Sequence, residues 1–211
     1  MRHIVLVIAS VLMVCGSATA AWKEFPLPQF GFVVEFPADP KTSTGDYRTV
    51  LVPSATAHIY SAREDHAIYV ATVVDFLDRK EEGANLLGEA EFNYTMLGDV
   101  SGISPSRVEP GKAAVWGRFF TIDCRSSKIP DQPGQTQAAR TWFKAITGVE
   151  CPDKGRLTVN MFFNRGRLYL IQGMNLPTTD DSSFGPSALR FANSISFFLA
   201  DGKRDPTGLP R

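Results

Sequence analysis

Histidine and cysteine are scarce in this chain, at three each among 211 residues, and their scarcity removes much chemistry. His3 and Cys15 fall in the N-terminal stretch, which leaves His58, His66, Cys124 and Cys151 for the body of the protein. A structural or catalytic zinc site draws on clustered Cys and His ligands, and neither a Cys-x-x-Cys spacing nor a His-Glu-x-x-His motif is present. His58 alternates with Ile59 as on a strand and His66 lies in a charged turn, so ordinary surface or edge roles are expected of both. A Gly-x-Ser-x-Gly elbow, a P-loop and a dinucleotide-binding glycine pattern are also missing, and with them the enzyme classes that need those loops. Neither sign of charge is in excess, with 22 basic and 22 acidic residues, so no global field recruits nucleic acid. The expectation is a protein that is not an enzyme and that carries no cofactor and no metal.

Long apolar runs are missing too, apart from the one at the start. Met1-Arg2-His3 leads into an apolar stretch from Ile4 to Cys15, followed by Ala18-Thr19-Ala20. That order of charge, grease and small residues is a signal peptide. The run is shorter than the ~20 residues a membrane-spanning helix needs, so residues 1–20 are expected to be removed before Ala21, with no membrane span left. Lipid attachment at Cys15 is the alternative, disfavoured by the bulky Val14 before it. The product is expected to be periplasmic or secreted, as one domain over residues 21–200 with a loose tail at 201–211.

What is present reads as mixed structure. Phe32, Val34 and Phe36 alternate with Val33 and Glu35 as in a half-buried strand. Further strands are predicted near Thr49–Val52 and over Ala55–Ala62. Ala67–Phe76 is almost wholly apolar or β-branched, which suits an inner strand covered on both faces. Asp78-Arg79-Lys80-Glu81 has capping-box spacing, and Leu87, Ala90, Tyr94 and Leu97 recur at helical intervals before Gly98 as a stop. Ala113–Cys124 is predicted as a strand with Trp116, Phe120 and Ile122 on one face, and Gly155–Gly173 as a hairpin turning at Asn164-Arg165-Gly166. A short helix is expected after Pro186, presenting Ala188, Leu189, Ala192 and Ile195. The acidic pairs Glu81-Glu82 and Asp180-Asp181 stand where they complement helix N-termini.

In an exported protein, the even pair Cys124 and Cys151 favours a disulfide. Ordinary antiparallel pairing of residues 137–146 with the strand ending at Cys124 would put the sulfurs at opposite ends, beyond the Cα separation of about 4.4–6.8 Å that a bridge allows. Residues 125–150 are therefore read as an insertion with both cysteines at its neck, its apolar Trp142, Phe143 and Ile146 docking on the body. Lys154, Arg156, Arg165 and Arg167 bracket the two ends of the hairpin. The candidate contact surface combines Trp142 and Phe143 with Arg165 and Arg167.

Phe32-Val33-Val34-Glu35-Phe36-Pro37-Ala38-Asp39-Pro40, Arg167-Leu168-Tyr169-Leu170-Ile171, and Arg190-Phe191 leading into Ser194-Ile195-Ser196-Phe197-Phe198 resemble the PsbP-like superfamily, which includes extrinsic photosystem II subunits and many exported bacterial proteins. The resemblance implies an α+β fold with an antiparallel sheet packed between helices, an α-β-α sandwich, and transfers no site residues. The function expected is a non-catalytic binding or assembly module with a protein partner. A carrier of a small apolar or lipid-like ligand is the alternative, prompted by the many Phe residues, and a hydrolase with an unfamiliar site stands behind it.

Overall fold

The computed structural model describes residues 22–108, 115–125, 133–177, 185–198 and 202. The predicted leader with Cys15, the Asp180-Asp181 pair and nearly all of the tail lie outside the described residues. The element order is β1 (Lys23–Leu27), β2 (Phe32–Phe36), β3 (Lys41–Tyr47), β4 (Ala55–Glu64), β5 (Ala67–Asp75), α1 (Gly83–Thr95), β6 (Gly98–Val108), β7 (Val115–Cys124), α2 (Pro133–Thr147), β8 (Arg156–Asn164), β9 (Arg167–Asn175), α3 (Pro186–Asn193) and β10 (Ser196–Phe197). The fold is α+β with antiparallel sheets. Seven of the described strands form one sheet in the order β3-β4-β5-β9-β8-β7-β6, and β1, β2 and β10 form a second.

The sequence of β5 dictates its central place. Ile68, Val70 and Val74 point to one side, while Tyr69, Ala71 and Val73 point to the other, and all six are buried. A strand apolar on both faces must be covered twice. On the first side lie α1 and α2, whose Leu86, Ala90, Tyr94, Trp142 and Phe143 join the same cluster. On the second side lie the small sheet and α3, contributing Phe32, Val34, Phe36, Phe191 and Phe197. The helical layer expected there is thus α3 beside a three-stranded sheet.

The β8–β9 hairpin turns through Arg165 at φ 52° and Gly166 at φ 77°, with Asn164 opposite Arg167. A two-residue loop with both φ values positive matches the twist of the flanking strands, and Gly166 occupies the position where a side chain would be strained. At Gly173 of β9, α3 comes so close that an added Cβ would stand 2.6 Å from the Ala188 Cα.

Several local expectations are corrected. Thr49–Val52 is no strand; its backbone closes a turn, Thr49 N–H to the Val52 carbonyl at 2.8 Å, and the strand lies upstream at Lys41–Tyr47. No side-chain cap opens α1. A single 3-10 turn over Lys80–Glu82 leads into it, and the Arg79 guanidinium engages Glu82 there rather than a reciprocal box forming. Gly98 does not stop the helix but begins β6, an 11-residue strand. Trp116 shares its face with Phe120 and Ile122 yet is 58% exposed, and Leu189 of α3 is 47% exposed.

Candidate functional site

The insertion is built around α2. Cys124 ends β7 and Cys151 follows the helix, and they are bridged with Cα atoms 5.8 Å apart. The neck is sealed further by the backbone, since Cys124 N–H donates to the Gly155 carbonyl at 2.8 Å and Lys154 N–H to the Cys124 carbonyl at 3.0 Å. The helix itself is amphipathic for a visible reason. Thr136, Ala139, Phe143 and Ile146, with Trp142 beside them, recur at three- and four-residue steps and are buried, as one face of a helix requires. Near its C-terminus the Thr72 hydroxyl, buried in β5, donates to the Ile146 carbonyl at 2.6 Å, and Gln172 of β9 donates to the Thr72 oxygen at 3.4 Å.

Under α2 the aromatic rings form a box with three polar tips inside it. Trp142 packs on Tyr94 at 5.0 Å and on Tyr47 at 5.9 Å between centroids, and Tyr94 packs on Phe120 at 5.4 Å, all near edge-to-face. The Tyr47 and Tyr94 hydroxyls and Trp142 Nε1 have no hydrogen-bond partner among the described residues, although Trp142 Nε1 comes close to the Tyr47 oxygen. Burial, helped by the Glu89 carboxylate, raises the Tyr47 phenol far above its ordinary value. Burial also raises the Tyr94 phenol well above its ordinary value, with Tyr47 adding to it. Glu89, on α1, in turn accepts from the Thr49 hydroxyl and from Leu51 N–H, pinning the turn after β3.

Two clefts of about 390 Å³ each run along the flanks of α2. One lies between the helix and the Cys151 loop, lined by Arg140, Lys144, Glu150, Leu97 and Phe143. The other lies over β3, lined by Asp46, Arg48, Ala138, Trp142 and Ala145. Gln137 and Thr141 border both, so these two exposed residues form the ridge between the clefts. Lys144 Nζ donates to Glu150 at 2.7 Å, which holds the Glu150 carboxyl below its usual range.

The four residues of the predicted contact surface are not brought together. Trp142 and Phe143 are 5% and 1% exposed and belong to the core on the helix side of the sheet. Arg167 pairs with Asp75 at 2.6 Å and stacks over Phe30, a residue of the opposite core. Arg165 is exposed in the hairpin turn. His58 stacks on Phe30 at 4.8 Å while His66 is exposed in the β4–β5 turn, so the two histidines do not share a site. Among the described residues, no three His, Cys, Asp or Glu side chains gather into a metal-binding group, and no helix is long and apolar enough to cross a membrane. The ridge Gln137/Thr141 and the charged wall of Arg140 were missed by sequence reasoning. Their polar spacing of three and four residues opposite Ala139, Trp142 and Ile146 was the signal available.

No family model and no curated protein matches this chain.

Proposed function

We propose that this chain is an exported, non-catalytic binding or assembly module of the PsbP-like kind, and that it meets its protein partner through the outward face of α2. The observation that carries the reading is the division of labour on that helix. Its inner face is committed to the core through Ala139, Trp142, Phe143 and Ile146, whereas Gln137 and Thr141 stand exposed on a ridge with a cleft on either side. A helix clamped at its neck by a disulfide presents such a surface with little conformational freedom to lose on binding. The bridging distance between Cys124 and Cys151 supports an oxidising compartment. The carrier reading is less favoured, because the Phe side chains that prompted it are consumed by packing on one another: Phe36 on Phe191 at 4.9 Å, Phe162 on Phe197 at 5.9 Å.

Deleting residues 126–149 would strip the core as well as the surface, so the informative test leaves the helix in place. A photo-cross-linking side chain at position 137 or 141, and at exposed position 23 as control, is expressed in the native host. Cross-links to one protein from the ridge and none from position 23 are expected. Equal labelling from all three positions, or none from the ridge, would count against the proposal.

A further inference from the structure

The cleft beside the Cys151 loop holds a guanidinium that the fold satisfies only in part. Arg140 Nη2 is shielded from solvent and has no hydrogen-bond partner among the described residues, although the residue is partly exposed and lines the cleft. A guanidinium with a shielded nitrogen that lacks an acceptor is short of hydrogen bonds, and its cleft-facing part can gain charge-assisted ones from a carboxylate. The cleft's other cation, Lys144, is already engaged by Glu150 at 2.7 Å. Glu150 also feels the Arg140 charge, but two cations against one anion leave the lining net positive. The wall behind it is apolar, formed by Leu97, Phe143 and Cys151. A volume of 390 Å³ lies at the low end of the roughly 300–1,000 Å³ typical of small-molecule sites.

We infer that this cleft binds a monoanionic carboxylate attached to a short apolar group, with Arg140 as its anchor and the Gln137 amide at its rim. A doubly charged phosphate fits less well, because its second charge would face the Glu150 carboxylate. The inference rests on the reading of α2 as the binding element and names a ligand chemistry for one of its two flanks. A free small acid and the C-terminus of a peptide share that chemistry.

The experiment follows backbone amide shifts of the full mature protein by NMR during titration with sodium benzoate, with acetyl-Ala-Phe as free acid, and with the same dipeptide as its amide. Saturable shifts centred on positions 140, 144 and 151 are expected with at least one acid, with the amide at least about tenfold weaker. Tighter binding of the dipeptide acid assigns chain ends, and tighter binding of benzoate assigns free acids. Arg140→Gln should weaken binding at least about tenfold, and it should fold, since Arg140 makes no hydrogen bond through Nη2 that the change would break. Gln137→Glu keeps Arg140 and adds a negative charge at the rim, and should also weaken binding. No saturable shift with either acid, equal binding of acid and amide, or wild-type affinity in Arg140→Gln would overturn the inference. If carboxylate binding fails while cross-linking at position 137 succeeds, this inference falls and the contact-surface reading stands. Saturable carboxylate binding without any cross-link supports the site and removes the protein partner.

Discussion

Cutting the Cys124–Cys151 bridge should lower stability without releasing α2. The cysteines are 27 residues apart in sequence, and the chain-entropy relation for a loop of that length gives about 3.6 kcal/mol at 25 °C. For a domain of this size that corresponds to a fall in melting temperature of about 7–14 °C. The loss acts through the unfolded chain, which becomes freer, and the folded state keeps its contacts. Burial of Trp142, Phe143 and Ile146 contributes about 1.5–3 kcal/mol per side chain, so the helix remains docked when the sulfurs part. The assay is urea unfolding with and without a reductant, thiol titration confirming that both sulfurs are free, and near-UV circular dichroism reporting on the aromatic box. A lowered midpoint with an unchanged near-UV spectrum before the transition is expected. A shift worth less than about 1 kcal/mol would contradict the loop-entropy estimate, and loss of the aromatic signal in the absence of urea would show that the bridge, not burial, holds α2 down.

Thr72→Val removes the hydroxyl that donates to the Ile146 carbonyl and accepts from Gln172; it should cost about 1–3 kcal/mol in urea unfolding, and a loss below half of the lower figure would show the bond to be dispensable. Gly173→Ala should cost about 1–3 kcal/mol or more through overpacking, and Ala188→Gly should fail to rescue it, because the obstructing atoms of Ala188 are backbone; recovery in the double variant would refute the close approach of α3. All five tyrosines have raised phenol pKa values, mainly through burial, with Tyr169 pushed up to about 12. A folded value above the unfolded value of about 10 means that the stability it represents is present below pH 10 and is lost as the pH rises toward 12. Tyrosinate absorbance should therefore appear together with unfolding in that range, and a phenol titrating near pH 10 in protein that remains folded would contradict the burial.

The parts of the fold legible in the sequence are those where burial imposes a pattern. β5 sits between two covered faces and is apolar at nearly every position, and the β8–β9 hairpin shows alternation ending at a glycine suited to positive φ. The two outer strands of the large sheet escaped notice for the converse reason. β3 reads Lys-Thr-Ser-Thr-Gly-Asp-Tyr and β6 reads Gly-Asp-Val-Ser-Gly-Ile-Ser-Pro-Ser-Arg-Val, and with most of their residues exposed or half-exposed no hydrophobic period is imposed on them. Pro105 and the irregularity between Val100 and Gly102 are features by which edge strands avoid pairing with other chains, and they also mask a strand from pattern reading. At the candidate site, the docking of Trp142, Phe143 and Ile146 was legible as an apolar group after a polar stretch. That Trp142 and Phe143 would be used up by docking was not, because burial depends on Tyr47 and Tyr94, which come from distant elements.

The two faces of the large sheet are closed in different ways, and this decides where change is tolerated. On one face, β10, the last described strand, pairs with β2, and Phe198 N–H reaches the Gly31 carbonyl at 2.9 Å, so early and late strands of the described residues are woven into a single layer. On the other, α2 rests as a clamped element whose outward residues meet no part of the core. Substitutions at Gln137 and Thr141 should then change stability by no more than about 0.5 kcal/mol. Gln137→Ala and Thr141→Ala can be placed in the same urea assay as the disulfide and set beside the cross-linking result. Unchanged midpoints with lost partner capture would separate binding from folding on one helix. Midpoints that fall by several times that amount would show the ridge to be structural, and the division of α2 into an inner and an outer role would be wrong.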